Sequence, residues 1–577
     1  PYRTRCGTRL SGARLGPRWG ARRDDAAVIL RGVTQYRVAS EVAAPLAVSA
    51  RLWQALQTFV RGDRNRWGIS MYTNLGQVMP SGAAKYGDRV ALVFQGEEFT
   101  YNRLDELTAR LANGLKELGV SQGDRVTLYS PNRWEWIVSY YAVLRLGAVI
   151  NPINVMLTPE EVVFVTKDCG AKVLLASVDK GTPIMTRQSE TPLEHIVVFG
   201  DDIPDGATSF NQLLDDNSAE LAEFDIDPMA TSTIGYTSGT TGHPKGAMLS
   251  HHGIVLNSAL TSNLHARTGD DVCYSALPCS HVYGNVVMNG VFFLGGRLIL
   301  NDRFDAVDTM GLIEQHRVTI FDGVPTMYFF MLADPKFDDF DLTSLRLCAV
   351  GGQTMPEPKM REAEERLGCP LIELWGMTEL GGLGTTFPAY GPYKHGSIGL
   401  QLPYAECRIA DVDDAARTMP SNDVGELMVR GPIVMQGYFG NEAMTRETIE
   451  PDGWLHTGDL ARMDEDGCIF IVDRKKDMIL TAGFNVYPAE IERVLAGHPA
   501  VALVAVGSIE DEMKGELAKA YIVLKEGASV TENEIIEFSR NSLAAYKVPR
   551  QVQFVEAVPT TSSGKIMRRM LRTLDES

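Results

Sequence analysis

Between residues 104 and 152 the chain switches repeatedly between two apolar periods, and this switching restricts its fold more than any other feature. Leu104, Leu107, Leu111, Leu115 and Leu118 recur every three or four positions, which marks one face of a helix, and Gly119 follows as a stop. Asp124–Tyr129 then reads as a strand, Trp134–Leu146 as a helix and Val149–Pro152 as a second strand. Strands alternating with helices build a parallel sheet covered on both faces. The pattern returns at Arg297–Leu300, Val318–Phe321, Leu345–Val350 and Leu371–Leu374, with no fixed-period repeat. The expected class is therefore α/β, with a large N-terminal domain of doubly wound αβα subdomains. Short strands and turns from Ile398 to Tyr438 predict a small β-rich subdomain. A last α+β unit follows, with strands at Val501–Val506 and Ala520–Leu524 and helices at Ile491–Ala496 and Glu532–Leu543. The expected boundaries are 71–473 for the large domain, 474–477 for a hinge and 478–577 for a mobile lid.

Composition narrows the function classes. Hydrophobic content of 45% and charged content of 22% describe a globular chain rather than a disordered one. The apolar window from Trp134 to Leu157 is broken by Glu135, Arg145, Asn151 and Asn154, so no integral membrane segment is expected. Eight scattered cysteines without a C-x-x-C pair fit core thiols in a reducing cytoplasm. The first 70 residues hold 13 Arg, no Lys and four acids, a charge of +9, which leaves −27 for the rest. An acidic body argues against nucleic acid as a partner and requires any anion site to be made locally. The Arg-rich extension 1–70 lacks methionine, and Met71 is the first in the chain. It reads as a transit peptide, as a nucleic-acid or membrane arm, or as upstream sequence preceding the enzyme. The last reading is favoured, with no packed structure and no chemistry expected there.

The chemistry concentrates first in Thr237-Ser238-Gly239-Thr240-Thr241-Gly242-His243-Pro244-Lys245-Gly246. Hydroxyls and unhindered backbone N–H groups can wrap phosphate oxygens, and Lys245 adds a point charge. The run follows an expected strand, Ser232–Tyr236, and precedes an expected helix beginning in Met248–Ile254. It is not a Walker loop, because Pro244 separates Gly242 and His243 from Lys245 and Gly246 follows the lysine. The string YTSGTTGHPKGAMLSH resembles the phosphate loop of the adenylate-forming superfamily, which includes acyl-CoA synthetases, peptide-synthetase adenylation domains and firefly-type luciferases.

The resemblance extends over nearly all of 71–577, through six further segments in the family's order. Leu277–Gly284 resembles the motif bordering the acyl pocket, which implies that His281 lies beside the acid and the approaching thiol. No aspartate stands here to hold a substrate amine, as amino-acid-activating relatives require. Val350–Pro356 resembles the Gly-Gly turn at adenine and acyl group, with Gly352 and with Gln353 where many relatives have Ala. Leu374–Glu379 resembles the Y-G-x-T-E motif with Trp375 for Tyr; Trp375, Gly376 and Met377 would lie near adenine, Thr378 would bond a phosphate, and Glu379 would hold Mg²⁺ with Thr237. Gly453–Asp459 resembles the ribose motif, in which Asp459 accepts from both hydroxyls. Arg474–Asp477 resembles the hinge, with Arg474 reaching ribose or phosphate and Lys476 at the pivot. Pro559–Lys565 resembles the C-terminal lysine loop, in which Lys565 binds carboxylate and α-phosphate together; Gly483–Glu490 looks like the turn lining the pantetheine channel.

What the resemblance implies is an acid–CoA ligase of the fatty-acyl or coumarate/ferulate type, using ATP, Mg²⁺ and coenzyme A on a small-molecule carboxylic acid. The alternatives it leaves are an adenylating enzyme that loads a carrier protein and a luciferase-like oxygenase. A homodimer and a lysine acetyltransferase acting on Lys565 are further implied partners.

Overall fold

The computed structural model describes residues 74–222, 224–237, 244–481, 484–511, 515–560 and 566–575. The extension 1–70, the loop residues Ser238–Gly242, and Gly483 and Lys565 lie outside the described residues.

The leucine stripe forms the helix Tyr101–Glu117, with Leu104, Leu107, Leu111 and Leu115 at most 2% exposed. Thr100 caps its start by accepting from the Arg103 N–H, and Gly119 at φ +81° follows its end. The next apolar run is the helix Trp134–Arg145, buried on nearly every side. It packs between two sheets, which explains why its sequence is apolar all round rather than striped.

Among the described residues the first sheet has nine strands. Its centre is parallel, in the order Leu371–Met377, Leu347–Val350, Ile320–Gly323, Val272–Ser275, Arg297–Leu300 and Val90–Phe94. The second has eight, parallel through Thr231–Thr237, Val149–Pro152, Arg125–Tyr129, Ala171–Ser177, His195–Phe199 and Thr208–Ser209. Helices Trp134–Arg145 and Val282–Leu294 meet between the two halves. There Tyr140 Oη donates to Asn285 Oδ1 at 3.2 Å and Tyr141 Oη to Asn289 Oδ1 at 2.7 Å, so the polar groups sunk in this seam have partners.

Where short strands were expected from Ile398 to Tyr438, there is an antiparallel four-stranded sheet, Glu406–Ala410, Gly425–Arg430, Leu455–Met463 and Ile469–Arg474, whose last two strands lie beyond Tyr438. The C-terminal unit is a sheet of Phe484–Val486, Ile479–Thr481, Gly515–Leu524 and Val501–Asp511, with Gln551–Phe554 beside Gly515–Leu524. The helices Pro488–Ala496 and Glu532–Arg540 cover it. Its core, built on Ile479, Val486, Ile491, Leu495, Val506, Ile522 and Ile535, is separate from the large core.

One expectation is corrected. The segment after the Ser/Thr/Gly loop is a strand, Lys245–Ser250, antiparallel to Thr231–Thr237, and the helix starts only at His251. Ala247 and Leu249 bury against the sheet, and Ser250 ends the strand by accepting from the Gly253 N–H as the helix cap. The loop therefore bridges a hairpin instead of leading from a strand into a helix.

Candidate active site

Three sheets contribute side chains to one locality. The hairpin brings Thr237 and Lys245 into register as its last described pair. Tyr236, just before the loop, donates to Asp168 Oδ2 at 2.5 Å; burial and that carboxylate push its hydroxyl well above its ordinary pKa, so it remains a donor. The strand Thr231–Thr237 passes directly over the Thr378 turn: a Cβ on Gly235 would lie 2.8 Å from the Thr378 methyl.

Glu379 follows in that turn and is 7% exposed. Tyr438 Oη donates to its Oε1 at 2.8 Å, and the Met435 N–H donates to its backbone oxygen at 2.7 Å. Tyr438 belongs to the short strand Gly437–Tyr438, paired with the Lys245–Ser250 edge. The Lys245 ammonium lies 5.6 Å above the Tyr438 ring and 3.3 Å from Met444 Sδ. Burial and the adjoining Glu379 hold the Tyr438 hydroxyl protonated. Lys245, Tyr438 and Glu379 thus form one chain of contacts from the end of the hairpin to a carboxylate. Sequence reasoning missed Tyr438, whose partners are distant in the chain and whose dipeptide Gly437-Tyr438 carries no motif.

Asp459 is the second focus, at 3% exposure. Trp375 Nε1 donates to its Oδ2 at 2.8 Å, and Arg474 Nε meets its Oδ1 at 2.5 Å. The register Asp459↔Arg474 sets the second contact, and the Thr457 hydroxyl accepts from the Asp459 N–H. Beside Asp459, buried Glu426 accepts from Lys475 at 3.0 Å and from the Gly458 N–H at 3.1 Å. Glu426 was likewise absent from the motif reading. Lys476 is exposed in the turn that follows.

The Gly-Gly turn closes the far wall. Gly352 takes φ +85°, and a Cβ on Gly351 would lie 2.2 Å from Leu374 Cδ1, so a side chain fits at neither position without strain. Gln353 is half-buried beside them. Gly376 abuts the Gly382 carbonyl, and Met377 ends the same strand, half-buried. His281 caps the helix Val282–Leu294, its Nδ1 accepting from the Tyr283 N–H at 3.2 Å. Tyr283 Oη in turn reaches the Ala349 carbonyl at 3.1 Å, which ties the His281 element to the strand Leu347–Val350 that leads into Gly351.

Residues 80–439 match the family model of the AMP-binding enzymes, and residues 490–565 match that of the AMP-binding enzyme C-terminal domain. The chain belongs to the AMP-binding enzyme family. It has similar curated relatives along most of its length. A long-chain-fatty-acid–CoA ligase of Bacillus subtilis is 32% identical, over 86% of this chain and 94% of the relative. A 4-coumarate-CoA ligase of Narcissus pseudonarcissus is 35% identical, over 85% and 91%. Among solved structures, an anthranilate CoA ligase in complex with anthranoyl-AMP superposes with a TM-score of 0.83 at 28% identity, covering 88% of this chain and 98% of that one.

The metal question divides in two. Among the described residues no group of three or more His, Cys, Asp or Glu can hold an ion. The buried Glu379 carboxylate, oriented by Tyr438, is a hard oxygen donor of the kind that would fit Mg²⁺. No helix among the described residues is long and apolar enough to cross a membrane.

Proposed function

We propose that this AMP-binding enzyme is an acid–CoA ligase that converts a fatty or aryl carboxylic acid to its CoA thioester, forming AMP and pyrophosphate. The observation carrying this reading is the double focus of Glu379 and Asp459, one beside the phosphate loop and one gripped by Trp375 and Arg474 next to the lid. Two buried carboxylates with such different partners suit the two ends of a nucleotide triphosphate. Asp459 takes the ribose hydroxyls, and Glu379 and Thr237 would hold Mg²⁺. The ion's contribution there is to neutralise phosphate charge.

In the first half-reaction a carboxylate oxygen of the acid attacks the α-phosphorus, an acyl–phosphate bond forms, and pyrophosphate leaves. The enzyme's part is positioning and charge neutralisation. Ser238, Gly239, Thr240, Thr241 and Gly242 wrap the departing phosphates, Lys245 and Thr378 hold them, and Lys565 bridges the acid and the α-phosphate. Trp375, Gly376 and Met377 flank adenine, and Gly352 and Gln353 border the acyl group. In the second half-reaction the CoA thiol attacks the acyl carbon beside His281, AMP leaves, and the thiol proton passes to solvent. Lys565 and the thiol need the same place, so the lid 478–577 turns about Arg474–Asp477, withdrawing Lys565 and presenting the Gly483 turn. Residues 71–473 stay fixed. The buried cysteines suit a reducing, cytoplasmic setting.

The test is exchange of labelled pyrophosphate into ATP across a panel of fatty and aryl acids, followed by CoA-dependent thioester formation. Exchange with no acid in the panel overturns the reading. Lys565→Ala is expected to abolish exchange and to spare thiolation of a supplied acyl-adenylate; equal loss of both contradicts the division of labour.

A further inference from the structure

Arg568 stands three residues beyond Lys565 and makes contacts that the adenylation reading does not use. Its Nη2 lies 2.6 Å from Glu492 Oε2, and its Nη1 lies 3.3 Å from Asp477 Oδ2 and 3.8 Å from Asp473 Oδ1. Asp473 is the penultimate residue of the strand Ile469–Arg474 of the β-rich sheet, just before the hinge residues 474–477. Its side chain is 1% exposed. Its Oδ2 accepts from the Ala489 N–H at 2.8 Å, at the start of the lid helix Pro488–Ala496. Glu492 sits on that same helix and also accepts from the Val506 N–H at 2.8 Å. One guanidinium therefore holds carboxylates before the hinge, within it and after it.

We infer that Arg568 is a positioning residue: together with Asp473, Asp477 and Glu492 it clamps the hinge in the lid orientation seen here, and the clamp must open for the lid to turn. This deepens the ligase reading above and rests on it. The geometry supplies the reason. Rotation about residues 474–477 moves Asp473 relative to Asp477, Ala489 and Glu492. A guanidinium in its rigid fork cannot follow all of them. Three carboxylates share one cation, so the cluster keeps unspent negative charge and is releasable rather than permanent. The neighbouring cations are engaged elsewhere, Arg474 on Asp459 and Lys475 on Glu426. Asp473 is the member most removed from water, and burial raises its carboxyl to about 6 despite Arg568 and the Ala489 and Arg474 amides.

A plain structural tether for the C-terminal segment would behave differently. Such a tether exists independently: Lys519 Nζ meets Asp575 Oδ1 at 2.6 Å, and neither residue is among the carboxylates that Arg568 holds. Losing a tether lowers both half-reactions together through stability. Losing the clamp changes how the enzyme divides its time between two lid orientations.

The experiment measures pyrophosphate exchange and thiolation of a supplied acyl-adenylate on the full chain, for wild type, Arg568→Lys, Asp473→Asn and Lys519→Gln. Arg568→Lys keeps one charge but loses the fork, and Asp473→Asn keeps an acceptor for Ala489. Both are milder than truncation to alanine. The expected result is that each clamp variant changes the ratio of the two rates about tenfold or more, while Lys519→Gln leaves the ratio at the wild-type value. Faster tryptic cleavage at Lys475–Lys476 in the clamp variants is the second expected sign. If both clamp variants scale the two half-reactions equally and cleave at the wild-type rate, the clamp is wrong and the ligase reading stands. A wild type inactive in both half-reactions overturns the ligase reading and the clamp with it.

Discussion

Glu373 lies in the middle of the strand that leads to Trp375 and Glu379, and it is 3% exposed. Its Oε2 accepts from the Gly396 N–H at 2.8 Å, and the Met355 amide also favours its charge, as does Arg493 on the helix Pro488–Ala496. Burial outweighs all of these and raises the carboxyl from 4.5 to about 8. The folded protein thus holds this proton at neutral pH, whereas the unfolded chain releases it near 4.5. Between those two values the native state binds one more proton than the unfolded state, so stability falls as pH rises, by about 1.4 kcal/mol per pH unit. The contribution is complete below the unfolded pKa and is lost through the folded one, a span of about 5 kcal/mol at most. Glu373→Gln keeps the shape and an acceptor for Gly396 but cannot ionise. The assay is the thermal or urea midpoint of both proteins at steps from about pH 5 to about pH 8. Other groups titrate equally in the two proteins and cancel in the difference. The variant is expected to match wild type at the acid end and to gain on it steadily toward the alkaline end. A difference that stays constant over the whole range refutes the reasoning, because it means that Glu373 is already ionised in the fold.

Trp375→Phe removes the indole donor from Asp459 while Arg474 remains, so the ATP KM should rise about tenfold with the CoA KM unchanged, measured by steady-state kinetics. Tyr438→Phe strips Glu379 of its buried donor; pyrophosphate exchange should slow about tenfold, and thiolation of a supplied acyl-adenylate should not. Arg267 and Asp322 form a buried pair, 2% and 0% exposed at 2.7 Å. Arg267→Met leaves Asp322 uncompensated and should cost about 3–5 kcal/mol in urea denaturation, with most of that recovered in Arg267→Met/Asp322→Leu.

Much of this molecule is legible in one dimension. Apolar period alone located the helix of Leu104–Leu115 and the strand after it, since burial on one face and alternation across a sheet leave different repeats. The Ser/Thr/Gly loop, Gly453–Asp459 and Arg474–Asp477 could be ordered along the chain because each is a short run whose pattern is local. The helix expected from Met248 failed for a local reason as well: Ser250 both ends a strand and caps a helix, and a window spanning it averages the two periods.

One dimension supplied the alternating class and the order of the short charged and hydroxyl-rich runs. Which of those groups touch was settled by packing. Tyr438 meets Glu379 across 59 residues, Trp375 meets Asp459 across 84, and Arg568 meets Asp477 across 91. Such contacts depend on strand order, register and the burial of each partner. Those are set by how whole sheets pack, and no stretch of chain short enough to carry a pattern contains both ends of the interaction.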